Sequence, residues 1–348
     1  MSNSQSINAK DPVMAHAKTV IKQYDAAAVS ETLNREIPDL KISSITIIET
    51  GWDHLVAEVN EAWIFRFPRT EGSIANLERE KRLLEYLKNH ITLPIPHYHY
   101  VGTATAFVGY RKIPGIHVDQ QIYASLNPAV RRTIAETLAT FLTELHRAVS
   151  KEQALQWGYT YIVRPLEEIE SNLIGTLPSD IRLRENRYGV ITPQLLKERR
   201  RIAKMIQQAI AQARKDLSKE KNLVFCHQDV NGDNTAFDPA TGRITGVFDF
   251  SDVGIVPYSW EFAELFNIDA ELAKLTAEIY GTMNNVPNPL IGGAADYIVR
   301  RAIFMLEARK KGDTQTEMNW LKELSDFMPV WHQEREGTKG QNYPINSI

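Results

Sequence analysis

Apolar and polar positions follow two rhythms along this chain, strand-like in most of the first third and helical in most of the rest. At residues 12–37 apolar side chains recur at helical spacing (Val20, Ile21, Tyr24, Ala28, Leu33), and Pro38 is the stop. The β-branched run 42–49 reads as a strand, and 55–59 and 63–67 as two more, joined at Asn60-Glu61 as a hairpin. Helical spacing returns over 73–89, with Leu77, Leu83, Leu84 and Leu87 on one face. Pro94 and Pro96 break the chain, strands follow near 98–102 and 107–112, and Pro114-Gly115 marks a lobe boundary.

Beyond that boundary the pattern turns helical. Residues 129–150 are strongly periodic (Ile134, Leu138, Phe141, Leu142, Leu145), and 193–219 predict a long basic helix. Glu198 and Asp216 interrupt its positive run, so a solvated helix face is preferred to a nucleic-acid surface. Two apolar stretches, 222–226 and 244–248, predict buried strands, with 238–242 as a hairpin turn by composition. Helices are expected over 259–283 and 292–311, mobile residues over 1–11, and a loose polar tail over 334–348. The division expected is a first lobe at 1–113, rich in strands, and a helical second lobe at 114–348.

Composition narrows the classes. With 348 residues, 43% hydrophobic and 24% charged, the chain can bury an ample core, and a net charge of −3 suggests no nucleic-acid partner. Its one cysteine, Cys226, excludes an intrachain disulfide framework and fits a reducing cytoplasm. The first residues lack the basic start and apolar run of a secretory leader, and no apolar stretch reaches membrane-spanning length. Neither a membrane nor an obligate protein partner is expected.

The chemistry concentrates at 226–252. Asp229 stands five residues before Asn234, and Asp249 follows fifteen residues later, each element placed after an apolar strand. A lone Asp and Asn in a turn is ordinary turn chemistry. The full set matches what phosphoryl transfer from a nucleotide needs: a carboxylate to orient the attacking hydroxyl and two oxygen ligands for magnesium. Protein kinases have the same order and similar spacing. In the first lobe, Arg66 interrupts the apolar run 63–68; a buried cation there needs a partner, with Glu80 the first choice and Glu78 the second. Gly51 and Asp53, in the turn 49–54, are expected over the nucleotide phosphates. Backbone groups at Arg111, Lys112 and Ile113 could bond the purine edge, a reading by backbone atoms that leaves ATP and GTP equally open. The plan is α+β, bilobal and protein-kinase-like, with nucleotide expected in the cleft between lobes. No phosphate loop of the G-x4-G-K-[ST] type and no G-x-S-x-G elbow is present.

The segments Gly51-Trp-Asp-His-Leu-Val-Ala, Trp63-Ile-Phe-Arg-Phe-Pro, Gly109-Tyr-Arg-Lys-Ile-Pro-Gly115, Phe141-Leu-Thr-Glu-Leu-His146, 226–234 and Thr245-Gly-Val-Phe-Asp-Phe-Ser-Asp-Val-Gly-Ile255 resemble the aminoglycoside phosphotransferase family, the 2''-phosphotransferase branch most closely. The resemblance spans about residues 40–310. It implies a kinase-like fold, ATP or GTP as donor, magnesium, and a small hydroxylated acceptor. By motif position it makes Asp229 the catalytic carboxylate, Asn234 and Asp249 the magnesium ligands, and His227 and Asp252 their supports. It sets Arg66 and Glu80 in the places of the phosphate-binding lysine and its helix glutamate. The chain departs from the pattern at Arg66, where the 2'' branch has lysine, at Gln228, where many relatives have glycine, and at 257–261, where Glu261 alone keeps a carboxylate in a stretch more acidic elsewhere.

Aminoglycosides carry several ammonium groups, which require carboxylates. Residues 250–310 hold eight acids against five bases, and Glu261, Glu264, Asp269 and Glu271 are the candidates for a cationic acceptor. Two other readings remain: a kinase of a macrolide, sugar, choline or amino alcohol, and a nucleotide-binding pseudokinase.

Overall fold

The computed structural model describes residues 25–48, 54–177 and 193–339. They divide into two compact units, one holding the described residues up to Glu85 together with Pro96–Lys112, the other holding Tyr86–Ile95 and the described residues from Ile113 onward.

The first unit is built on an antiparallel sheet of β1 (Ile45–Ile48), β2 (His54–Val59), β3 (Trp63–Pro68), β4 (Tyr98–Val101) and β5 (Val108–Arg111), in the order β1-β2-β3-β5-β4. The hairpin joining β2 to β3 turns through Asn60 and Glu61, both at φ 56°. This left-handed pair matches the twist of the flanking strands, and Asn is among the side chains that tolerate it best. The Asn60 side chain also accepts the N–H groups of Ser43 and Ser44 and donates to the Lys41 carbonyl, which fixes the approach to β1. Helix α1 (Ala26–Glu36), capped by Asp25, lays Val29 and Leu33 against Leu55, Ala57, Phe65, Phe67 and Phe107. Gly109 is required where β5 crosses Phe65, because a Cβ there would stand 2.4 Å from the ring. Helix α2 (Glu71–Leu87) follows β3.

The second unit is helical around two small ribbons. Its helices are α3 (Gln120–Ser125), α4 (Pro128–Ala148), α5 (Lys151–Gln156), α6 (Leu166–Ile169), α7 (Pro193–Leu217), α8 (Ala270–Asn284), α9 (Leu290–Lys311) and α10 (Thr314–Lys339). The core gathers Ile202, Ile206 and Ile210 of α7, Ile298, Ala302 and Met305 of α9, and Leu324, Phe327 and Trp331 of α10 around Trp260. Among the described residues no helix is long and apolar enough to cross a membrane.

Several expectations need correction. The strand pairing over 222–248 is different: β6 (Leu223–Cys226) pairs with β9 (Gly254–Pro257), while β7 (Thr235–Asp238) pairs with β8 (Arg243–Val247) through the turn at 238–242. β7 went unread because Thr-Ala-Phe-Asp is too short to show a period. The helix expected from 259 starts only at Ala270, after 3-10 turns at Tyr258–Phe262 and Glu264–Asn267, with Asp269 as its N-cap. Residues 334–339 belong to α10 rather than to a loose tail. That helix is weakly amphipathic and carries Pro329 inside, so its sequence signal is poor. The expectations for 1–11, for the start of the first helix, for 340–348 and for Gly51 and Asp53 lie outside the described residues.

Candidate active site

The segment 226–234 leaves β6 at Cys226 and turns at once, with Gln228 at φ 70°. A carboxylate supports the turn from beneath. Glu261 accepts the backbone N–H of His227 at 2.7 Å and that of Gln228 at 3.0 Å. It arrives there because β9 pairs with β6, Cys226 opposite Gly254, and the 3-10 turn following β9 carries Glu261. His146 at the end of α4 lies 3.3 Å from the same carboxylate and 2.8 Å from the Tyr280 hydroxyl. Glu261 is fully buried; burial alone would raise its pKa, but His146 and the loop N–H of Gln228 outweigh that and hold it below the usual range.

His227 is also fully buried, and burial lowers its pKa, which keeps the ring neutral. Its Nδ1 accepts the Asp229 N–H at 3.3 Å. The loop then closes on itself. Asn231 accepts the N–H groups of Asp233 and Asn234, and its amide donates to Asp229 Oδ1 at 2.8 Å. Asn234 donates Nδ2 to Asp229 Oδ2 at 2.6 Å. Gly232 lets the loop settle on Val118, whose carbonyl would lie 2.3 Å from a Cβ at that position.

A ribbon brings Asp249 to this loop. Asn234 immediately precedes β7 and Asp249 follows β8 by two residues; because Thr235 pairs with Val247, the ends of the ribbon meet. The Phe248 N–H bonds the Asn234 carbonyl at 3.0 Å, and Asp249 turns away at φ 63° with Oδ1 accepting from Ser251 at 2.7 Å. The Phe250 ring packs edge-on against His227, centroids 4.5 Å apart. Burial, then Asp252 and Glu264, then Asp249, push the Asp229 carboxyl up to about 8 against the opposing charge of Arg300. Crowded acids with one amide oxygen nearby form a hard-oxygen donor set, which fits magnesium.

In the first unit, Arg66 lies on the central strand β3, with Nη1 2.6 Å from Glu80 and both side chains at 5% exposure or less. Glu78, the second choice as partner, is exposed. Tyr98 and His54 sit 3.4 and 3.5 Å from the same guanidinium. Arg111 stacks on Trp63 at 4.1 Å; Lys112 bonds Glu58 at 2.8 Å and gives its N–H to the Ala62 carbonyl. The half-buried Ile113 begins the second stretch of the other unit.

The four acids considered for an acceptor all have protein partners. Glu261 holds the loop. Glu264 is 3.1 Å from Arg300 and 3.2 Å from Arg301. Asp269 caps α8 through the Glu271 N–H, and Glu271 pairs with Arg131 at 2.7 Å. Sequence reasoning missed a cluster beside the loop: Arg164, Arg300, Asp296 and the Gln228 side chain. Asp296 and Arg300, one turn apart in the largely apolar first half of α9, were the available signal.

The model of the phosphotransferase enzyme family matches residues 44–289. The fold is similar to the GDP and kanamycin complex of an APH(2'') enzyme, with 20% identity, TM-score 0.67, and 86% of this chain and 97% of that one covered. It is also similar to the GDP complex of an aminoglycoside 2'-phosphotransferase (19%, 0.68, 87% and 98%). A macrolide 2'-phosphotransferase type I is a further neighbour (21%, 0.56, 88% and 98%). The architecture is therefore the kinase-like α+β fold of these enzymes.

Proposed function

This chain belongs to the phosphotransferase enzyme family, and from that premise we propose that it moves the γ-phosphoryl group of ATP or GTP onto a hydroxyl of a small molecule. The observation that carries the reading is the meeting of Asp229, Asn234 and Asp249 at the end of one ribbon, on a loop braced by Glu261. Asp229 takes the hydroxyl proton as the acceptor oxygen bonds to phosphorus and the bridging oxygen leaves with the nucleoside diphosphate. Asn234 and Asp249 would hold magnesium, which neutralises phosphate charge when bound. Arg66, steadied by Glu80, is the proposed phosphate-binding cation. In a loose transfer of this kind, positioning and charge neutralisation are most of the catalysis.

An aminoglycoside acceptor draws support from the fold neighbours, one of which binds kanamycin. The partners already held by Glu261, Glu264, Asp269 and Glu271 weigh against it. The test is a coupled assay of nucleoside diphosphate release with ATP and GTP over an acceptor panel. Acceptor-stimulated release supports transfer; tight nucleotide binding with no stimulation by any compound favours the pseudokinase. A cytoplasmic setting is part of the proposal, supported by the single buried thiol of Cys226.

A further inference from the structure

We propose that the acceptor presents an anionic oxygen group, a carboxylate or a phosphate, beside its reacting hydroxyl, and that Arg164 and the side-chain amide of Gln228 receive it. This rests on the phosphotransferase reading and narrows its acceptor.

Gln228 immediately precedes Asp229 and is 2% exposed. Its Oε1 accepts from Arg164 Nη2 at 2.9 Å and from Arg300 Nη2 at 2.8 Å. Two guanidinium donors on one oxygen settle which way the amide faces. Nε2 is then a buried donor with no partner among the described residues. Buried polar groups are almost always bonded, so an orphan next to a catalytic loop calls for something to meet it.

Arg164 supplies a second open donor. Its Nε and Nη2 bond Asp296, each at 3.1 Å, and Nη2 also reaches Gln228; Nη1 has no hydrogen-bond partner among the described residues. The side chain keeps 13% of its surface, and the neighbouring Val163 is 85% exposed. The two atoms left open, Gln228 Nε2 and Arg164 Nη1, are both donors, which suits a group that only accepts.

The charges agree. Asp296, fully buried, answers two guanidiniums, Arg164 and Arg300. Glu264 is divided between Arg300 and Arg301. The other carboxylate at Arg301, Glu323, is 35% exposed and screened by solvent. An ammonium group seeking Glu264 or Asp296 would have to displace a guanidinium and leave it buried and unpaired, a costly exchange. An anion needs no such displacement.

The test uses the full chain with magnesium and ATP or GTP. Gluconate and glucose 6-phosphate serve as anionic polyols, glucitol as the neutral control and kanamycin as the polycation. At least one anionic compound should stimulate diphosphate release with kcat/KM about tenfold or more above glucitol and kanamycin, and the gluconate and glucose 6-phosphate arms separate carboxylate from phosphate. Arg164→Met should lower that kcat/KM by about ten- to a hundredfold, the size of one charge-assisted hydrogen bond. Arg164→Lys should restore part of it, and melting temperatures verify that both variants fold. Equal or better stimulation by glucitol or kanamycin overturns the proposal, as does an Arg164→Met loss that is the same for every acceptor. Silence from both anionic compounds in a wild type that binds magnesium-nucleotide also overturns it and leaves phosphotransfer standing. A wild type that binds no nucleotide removes the phosphotransferase reading itself.

Discussion

Asn234 donates its side-chain amide to Asp229 twice, to the backbone carbonyl at 3.0 Å and to the carboxylate at 2.6 Å. The bond fixes the carboxylate and commits the Asn234 nitrogen to it, so the amide oxygen is the atom left for a cation. The proposed base and the proposed metal ligand are thus locked into one geometry.

Asp229→Asn should therefore lower kcat by about 10³-fold, in the range of a lost general base, while magnesium-nucleotide affinity stays within about twofold of wild type. Steady-state assay and calorimetric titration measure the two separately. A collapse of nucleotide affinity with normal turnover per bound nucleotide would contradict the role given to Asp229.

Asp249→Ala should abolish the magnesium dependence of nucleotide binding, because a hard dication depends on its carboxylate ligand. Titrating nucleotide with magnesium, and again with a chelator, gives the comparison. If the magnesium effect is as large in the variant, the metal is held elsewhere.

The Arg66–Glu80 pair, with both side chains at 5% exposure or less, should be sensitive to removal of either partner. Glu80→Ala leaves a buried guanidinium without its carboxylate and should cost about 3–5 kcal/mol in urea unfolding. Arg66→Lys keeps the charge but loses the planar fork, and should raise the nucleotide KM with a smaller stability loss. Equal stability of Glu80→Ala and wild type would count against a buried pair.

Asp216, near the end of α7, accepts from Gln212 and Ser259, and burial pushes its carboxyl up from 3.8 to about 6. The native state favours the protonated form. Its stability contribution is full below pH 3.8 and is lost as the pH rises through about 6. The ionised group costs the fold about 3 kcal/mol above that range. Asp216→Asn should thus be more stable than wild type at pH 8 by up to about this amount, with the gap closing toward pH 4. Urea midpoints at pH 4.5, 6 and 8 would show it; a gap independent of pH would rule it out.

Much of the first unit was legible because its strands carry their own signals. β2 and β3 are short apolar runs closed by Asn60-Glu61, and Arg66 stands out as a charge that such a run cannot bury alone. The structure chose Glu80 over Glu78 because the helix faces one toward the sheet and the other toward solvent. The second unit was harder. β7 is too short to have a period, and α10 has little amphipathic contrast, since its ordering comes from packing on α7 and α9.

Residue order alone determined the kinase-like plan, the loop at 226–234 and the trio Asp229, Asn234 and Asp249, because these are local: apolar runs, a turn and a spacing. Tertiary structure alone decided which acids are free to meet a ligand. Glu261 and Glu264 look alike in sequence, yet one accepts two loop N–H groups and the other answers two guanidiniums. Buried charges and open donors are matched through space by helices and strands far apart in the chain. No run of residues displays that matching, because it exists only once the low-dielectric interior forces each charge to find a partner.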